Sequence, residues 1–113
     1  MTPPVRVAGF ASGGGTNLQA LLDHETAGGP YHIAVVISDR EGAGALGRAE
    51  AAGRLARVIE VKGRPSEEVA TETLALLESL EVQAIFLSGY LRMIPAAVVS
   101  AYRRRILNIH PAL

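Results

Sequence analysis

Short apolar runs alternate along the chain with segments whose apolar residues recur at helical spacing. The runs that predict β-strands cover residues 5–11, 31–38, 57–61, 84–87 and a last stretch that begins at residue 106. The second run is almost continuously apolar, which is typical of a strand buried on both faces. Five strands that alternate with helices predict a Rossmann-like, three-layer α/β fold. Its mainly parallel sheet would have right-handed crossovers and helices on both faces.

Glycine, proline and capping residues mark the predicted helix ends. Residues 28–30 (Gly-Gly-Pro) end the first helix, and a short alanine-rich helix ends near Gly53. Ser66, followed by two glutamates, predicts the N-cap of a helix that runs to about Leu80. Pro95 fits the first turn of the helix before the last strand, because its missing N–H would be unpaired there anyway.

The composition is that of a globular domain with balanced charge. Hydrophobic residues make up 49% and charged residues 19% of the 113 residues, which is not the composition of a disordered chain. Eleven basic and eleven acidic residues give a net charge of zero, so no charge argument favours nucleic acid or an anionic membrane as partner. The sequence has no cysteine, which excludes disulfides and thiolate chemistry.

Metal-binding and membrane-spanning patterns are not found in the sequence. The three histidines are scattered, and no HExxH-like spacing occurs, so we expect no metal. No apolar run approaches the ~20 residues of a membrane span, and the N-terminus leads into a strand without a signal-peptide pattern. We therefore expect a cytoplasmic protein.

A glycine-rich segment, residues 12–17 (Ser-Gly-Gly-Gly-Thr-Asn), joins the first predicted strand to the first helix. Three glycines let the backbone approach a ligand closely, and the helix start behind them offers unpaired N–H groups and a positive dipole end. This combination favours a phosphate. A dinucleotide fingerprint would need glycine where Leu18 stands, and no P-loop lysine follows, so a single phosphate on a small substrate fits better. The alternative is a tight turn with Thr16 or Asn17 as a plain N-cap.

The last predicted strand carries two polar side chains at its C-terminal end. Asn108 and His110 interrupt an apolar run at a spacing of two, and Pro111 ends the strand just after them. Side chains two apart in a strand point the same way, so an amide and an imidazole would leave the sheet side by side. Ligands of open α/β sheets bind at this end of the strands. The alternative is a core histidine beside a turn asparagine.

The segment after the fourth strand, residues 87–94, is too apolar for an ordinary exposed loop. A backbone strip lined by Leu91, Met93 and Ile94 would suit a flat heterocycle, and Arg92 would suit a carboxylate. The alternative is that these apolar side chains fold back onto the core.

Together, three motifs resemble the phosphoribosylglycinamide formyltransferase family of purine biosynthesis. They are residues 12–20 (Ser-Gly-Gly-Gly-Thr-Asn-Leu-Gln-Ala), 87–93 (Leu-Ser-Gly-Tyr-Leu-Arg-Met) and 107–111 (Leu-Asn-Ile-His-Pro), the last close to the family's Asn-Ile-His-Pro-Ser-Leu. The resemblance spans the whole chain and implies the formyltransferase fold. It also implies glycinamide ribonucleotide as substrate and 10-formyltetrahydrofolate as co-substrate, without a metal.

The resemblance also implies roles for the residues of these motifs. The phosphate of glycinamide ribonucleotide would be bound by Gly13, Gly14, Gly15, Thr16 and Asn17. The folate would be bordered by Leu91, Arg92, Met93, Ile94 and Asn108. The catalytic residues that flank the formyl group would be Asn108 and His110. In the family an arginine near the start of the third helix also contacts the folate; Glu67 aligns with it here, which leaves Arg64 as the candidate.

The family's chains are longer than this one. We therefore expect residues 1–113 to be the N-terminal, phosphate-binding half of a formyltransferase domain, with the C-terminal half and its catalytic aspartate absent from this chain. Such a chain would be inactive alone. It would also expose apolar area from Ile106, Leu107 and Leu113, and a homodimer is possible.

The implied chemistry is direct formyl transfer in de novo purine biosynthesis. The substrate amine attacks the formyl carbon, and the Asn108 amide and a protonated His110 stabilise the tetrahedral oxyanion. Three alternatives share parts of the pattern. They are a formyltetrahydrofolate deformylase, a methionyl-tRNA formyltransferase and a non-catalytic module that binds a phosphate ligand.

Overall fold

Five parallel strands form a single sheet in the computed structural model, which describes residues 3–109. They are β1 (Val5–Phe10), β2 (Tyr31–Ser38), β3 (Leu55–Val58), β4 (Ala84–Ser88) and β5 (Ile106–Ile109). Their order is β3-β2-β1-β4-β5, and every neighbouring pair is parallel. The chain adds β2 and β3 on one side of β1 and then β4 and β5 on the other. A switch point, where ligands of such sheets bind, therefore lies at the C-terminal ends of β1 and β4.

Four helices within residues 3–109 cover the two faces of the sheet. They are α1 (Thr16–Thr26), α2 (Gly44–Ala51), α3 (Ser66–Ser79) and α4 (Ala96–Ala101). Successive residues of β1 point to opposite faces and so serve two cores. Val7 lies in one core with Leu18 of α1, and Ala8 lies in the other with Leu77 of α3 and Val98 of α4. The predicted three-layer α/β fold is confirmed.

Two predicted boundaries are wrong in detail. The third strand, predicted over residues 57–61, spans Leu55–Val58, because its pairing with β2 ends opposite Ser38, where β2 itself ends. Ser66, predicted as the N-cap of α3, is its first helical residue. Pro65 occupies the cap position, and the cap makes no side-chain hydrogen bond. Proline fits there because it donates no backbone hydrogen bond.

The strand β5 forms one edge of the sheet and is hydrogen-bonded to β4 alone. Leu107 on this strand is 54% exposed, in agreement with the prediction, and Ile106 is half-buried. Leu113, the third residue of that prediction, lies outside the described residues. Among residues 3–109, no helix is long and apolar enough to cross a lipid bilayer.

Candidate active site

Ser12 joins the two loops that follow β1 and β4 at the C-terminal edge of the sheet. Its N–H donates to the Gly89 carbonyl at 3.2 Å, and its hydroxyl oxygen accepts a hydrogen bond from the Leu91 N–H at 2.8 Å. Ser12 is fully buried, so water does not compete for these contacts. The glycine loop (residues 12–17) and the β4–α4 loop (residues 89–95) are therefore held together at the switch point.

The carbonyl groups of four successive residues of the glycine loop all accept hydrogen bonds. The acceptors are the oxygens of Ser12, Gly13, Gly14 and Gly15. Their donors are, in order, Arg40 Nε, the Ala45 N–H, Arg48 Nε and the Gln19 N–H, at 3.0, 3.0, 2.7 and 2.8 Å. In a trans peptide the carbonyl of one residue and the N–H of the next point in opposite directions. Fixing these carbonyls therefore also fixes the N–H groups that follow them.

The N–H groups of Gly13, Gly14 and Gly15 have no hydrogen-bond acceptor among residues 3–109. They immediately precede α1, whose first-turn N–H groups and dipole carry partial positive charge. The N-cap of α1 is Gly15, with no side-chain cap hydrogen bond, so the alternative in which Thr16 or Asn17 caps the helix is wrong. A row of unpaired N–H groups at a helix start suits an anion.

Gly15 is required by both its backbone conformation and its surroundings. Its φ of 81° lies in the left-handed region, and a Cβ on it would lie 2.7 Å from the Cα of Ala45. Gly14 has open space where its Cβ would stand. The start of α2 thus packs directly against the glycine loop, and a Cβ on Gly44 would lie 3.0 Å from Gly14.

The segment between β2 and α2 also contributes to the site. The sequence analysis did not include this segment. A cavity of about 220 Å³ is lined by Gly13, Gly14, Arg40, Glu41, Gly42, Ala43 and Gly44. The sequence signals for this segment are the glycines at positions 42 and 44 and its position after a buried strand, since the C-terminal ends of parallel strands share one edge. Nothing in the local pattern distinguishes Arg40 or Arg48 from other surface arginines.

The apolar side chains of the β4–α4 loop divide into two groups. Leu91 is 79% and Met93 is 89% exposed, whereas Ile94 packs against the hydrophobic core. The alternative of apolar residues folded back onto the core is therefore correct for Ile94 and wrong for the other two. Two large apolar side chains exposed beside the glycine loop form a surface suited to an apolar ligand.

Arg92, predicted to suit a carboxylate, contacts the carboxylate of Asp39 at the end of β2, with Nε 3.2 Å from Oδ2. Burial by itself raises the pKa of Asp39. The nearby Ser12 hydroxyl and the Arg92 guanidinium favour its charged form and keep the pKa below the ordinary value. Burial and the negative charge of Asp39 raise the pKa of Tyr90 to about 12, so this phenol stays neutral near pH 7.

Arg64 makes hydrogen bonds with its own part of the chain. Its guanidinium donates to Glu72 at 2.7 Å, to Glu68 at 3.0 Å and to the Glu60 carbonyl at 2.7 Å.

A separate cavity of about 500 Å³ adjoins Arg92 and is lined by Asp39, Arg40, Glu41, Glu60, Lys62 and Arg92. Lys62, which the sequence analysis did not select, therefore shares this cavity with the cations Arg40 and Arg92.

Asn108 lies on β5 directly opposite Leu87 of β4, and it is exposed. The sheet therefore brings it to the same edge as the two loops, one strand away from the β4–α4 loop. His110, its predicted catalytic partner, and Pro111 lie outside the described residues. Within residues 3–109, no group of three or more His, Asp or Glu side chains is placed to hold a metal ion.

The formyl transferase family model matches residues 5–113 of the chain. The trifunctional purine biosynthetic protein adenosine-3 of Drosophila pseudoobscura pseudoobscura is 42% identical over 115 residues, which cover 98% of this chain and 8% of that protein. The chloroplastic phosphoribosylglycinamide formyltransferase of Arabidopsis thaliana is 32% identical, over 96% of this chain and 38% of that protein. The chain thus spans well under half the length of these curated relatives.

Solved structures show the same architecture. Glycinamide ribonucleotide transformylase 1 from Geobacillus kaustophilus superposes with a TM-score of 0.89 at 39% identity, over 97% of this chain and 60% of that one. Phosphoribosylglycinamide formyltransferase from Brucella melitensis superposes with a TM-score of 0.89 at 41% identity, over 97% of this chain and 58% of that one. These matches confirm the resemblance carried by the three motifs, and the chain belongs to the formyl transferase family.

Proposed function

We propose that this protein transfers the formyl group of 10-formyltetrahydrofolate to the amine of glycinamide ribonucleotide, in de novo purine biosynthesis. The observation that carries the proposal is the meeting of three features at one edge of the sheet. They are the unpaired N–H groups of the glycine loop, the exposed apolar side chains of the β4–α4 loop, and Asn108 on the adjacent strand. The names of the relatives support the same reaction.

The phosphate of the substrate would bind at the glycine loop. Three unpaired N–H groups and the start of α1 favour a dianion there without a lysine or a metal. Thr16 and Asn17, in the first turn of α1, would add side-chain hydrogen bonds. The residues proposed for this role are Gly13, Gly14, Gly15, Thr16 and Asn17.

The folate would bind along the β4–α4 loop. Leu91 and Met93 offer apolar contact to the pterin, and Ile94 supports them from the core side. Arg92 and Asn108 complete the border of this proposed pocket. Arg64 remains a candidate for the carboxylates of the folate tail, which would have to compete with Glu68 and Glu72 for its guanidinium.

The chemical step is direct acyl transfer. The nitrogen lone pair of the amine attacks the formyl carbon, and the carbonyl electron pair moves onto oxygen. The Asn108 amide and a protonated His110 would donate hydrogen bonds to this oxyanion. When the intermediate collapses, the carbonyl re-forms and the bond to the folate nitrogen breaks. His110 would give its proton to that nitrogen and recover one from the attacking amine nitrogen, which becomes the neutral formamide. Histidine suits this role because its ordinary pKa of roughly 6.5 lies near neutrality.

The test is an absorbance assay for loss of the formyl group from 10-formyltetrahydrofolate, with protein made from the complete reading frame. We expect turnover only when glycinamide ribonucleotide is present. Formyl loss without that substrate would indicate a deformylase instead. Phosphate binding without formyl transfer would indicate the non-catalytic module, and either result would overturn the proposal.

Further expectations on domain, activity, location, oligomeric state and partners belong to this proposal. Residues 1–113 would form the N-terminal, phosphate-binding half of the formyltransferase domain, supported by their coverage of 58–60% of the two solved chains. The 113-residue chain alone would then be inactive. The cytoplasm and a homodimer are the proposed location and state, with small molecules rather than nucleic acid or membranes as partners. Cell fractionation and light scattering test these points.

A further inference from the structure

We propose that Arg48 of α2 is a positioning residue that holds the glycine loop in its phosphate-binding conformation; this inference rests on the proposed phosphate site. Arg48 Nε donates to the Gly14 carbonyl at 2.7 Å. Its Nη1 lies 3.5 Å from the side-chain oxygen of Gln19 on α1. One guanidinium thus links α2, the loop and the first helix.

The contact matters because of the peptide group that it fixes. The carbonyl of Gly14 and the N–H of Gly15 belong to one trans peptide and point in opposite directions. By binding the carbonyl, Arg48 directs the Gly15 N–H away from α2. A peptide between two glycines has little conformational preference of its own, so its orientation depends on this contact and on the packing of Gly14 against Gly44.

Within residues 3–109, two side chains bind carbonyls of the loop, those of Arg40 and Arg48, and the two differ in position. Arg40 binds the Ser12 carbonyl and also lines the 220 Å³ cavity. Arg48 is half-buried and lines neither that cavity nor the one beside Arg92. Arg40 is therefore placed to touch a ligand directly, whereas Arg48 acts through Gly14.

The geometry of the contact favours arginine over lysine. Nε and Nη1 of one planar guanidinium serve two acceptors on different segments, the Gly14 carbonyl and Gln19. An ammonium group has no such fixed fork. Arg48→Lys would retain the positive charge and lose part of the alignment, while Arg48→Met would lose both.

The experiment compares Arg48→Met and Arg48→Lys in the protein from the complete reading frame. A hydrogen bond from a charged donor contributes enough to change binding by about tenfold. We expect Arg48→Met to raise the KM for glycinamide ribonucleotide by about that factor, with the KM for 10-formyltetrahydrofolate and kcat within about twofold. For Arg48→Lys, the KM for glycinamide ribonucleotide should lie between the values of the wild type and of Arg48→Met. The matched control is Arg57→Met, since within residues 3–109 the guanidinium of Arg57 donates only to the carbonyl of its neighbour Ala56.

A second measurement reports on the loop without catalysis. In ¹⁵N spectra of ligand-free protein, Arg48→Met should shift the Gly15 amide signal and leave that of Gly28 unchanged. Titration with inorganic phosphate should shift the amides of Gly13, Gly14 and Gly15 in the wild type, with about tenfold weaker binding in the variant.

The outcomes separate this inference from the proposed function. An unchanged Gly15 signal, or an unchanged KM for glycinamide ribonucleotide in an active variant, would overturn the role of Arg48. If Arg48→Met raised both KM values equally and also lowered the Tm, the role of Arg48 would be overturned too, because this result indicates general destabilisation. If the wild type bound phosphate at the loop but transferred no formyl group, the proposed reaction would fail, and the spectra would still decide the role of Arg48.

Discussion

The guanidinium of Arg92 lies against the buried carboxylate of Asp39, with Nε 3.2 Å from Oδ2. The pair links the β4–α4 loop to the end of β2, across the intervening strand β1. The Asp39 side chain is 3% exposed, and its Oδ1 accepts no hydrogen bond within residues 3–109. Arg92 is therefore the main ionic partner of this carboxylate, and the pair fixes the loop on which the folate is proposed to bind.

This pair makes part of the stability depend on pH. The pKa of Asp39 is lowered in the folded protein, as derived above. A lowered pKa adds stability above the unfolded value of 3.8, and this contribution is lost as the pH falls through the lower folded value. Because Arg92 is partly exposed and water screens the pair, we expect Asp39→Asn to cost about 1 kcal/mol at pH 7.

Urea denaturation over a pH series measures this difference. The difference in the free energy of unfolding between wild type and Asp39→Asn should be constant above pH 3.8 and should disappear at lower pH. Glu50→Gln, a change at an exposed carboxylate of α2, is the control and should give no comparable gap. A gap that widens on acidification would contradict the assignment.

Alanine substitution should distinguish Gly15 from its neighbour Gly14. Gly15→Ala forces a side chain into a left-handed conformation, with a Cβ 2.7 Å from the backbone of Ala45. We expect a loss of roughly 1–3 kcal/mol of stability and weaker phosphate binding, because the loop must move away from α2. The Cβ that Gly14→Ala adds has no atom within 4 Å, so this variant should lose much less stability. Thermal unfolding and phosphate titration measure both effects; equal destabilisation by the two variants would contradict this explanation.

The sequence predicts the sheet and the edge at which the site lies, because alternating strands and helices leave few topologies. It does not predict which side chains shape the site. Arg48 and the Gly14 carbonyl are 34 positions apart, and Arg92 and Asp39 are 53 apart. Such contacts depend on how α2 packs and on the order of the strands, and periodicity carries no information about either.

The sequence around Arg64 carries a local signal for an ion pair. It precedes α3 with Glu68 four positions later, a spacing at which opposite charges meet on a helix. The structure adds Glu72, one further turn along. The local pattern therefore already indicated a surface ion pair for Arg64, alongside the folate role inferred from the family.

Asn108→Ala and His110→Ala should each lower kcat. In the proposed mechanism each removes one donor to the developing oxyanion, and the loss of one such donor reduces turnover by ~10²-fold or more. The KM values should change little, because these contacts strengthen only in the transition state. The absorbance assay on both variants measures this effect. If both kept a near-normal kcat, the catalytic assignment would be wrong.

Leu91 and Met93 should contribute to folate affinity without contributing to stability. They are 79% and 89% exposed in the free protein, so serine at both positions removes little buried area and should leave the Tm within about 2 °C. If the pterin covers them, each loses about 1–2 kcal/mol of apolar contact on substitution. The double variant should then raise the KM for 10-formyltetrahydrofolate at least tenfold, with the KM for glycinamide ribonucleotide unchanged. Val99→Ser, at an exposed valine of α4, should leave both KM values unchanged; if it raised the folate KM as much as the double variant did, a specific pocket at the β4–α4 loop would be ruled out.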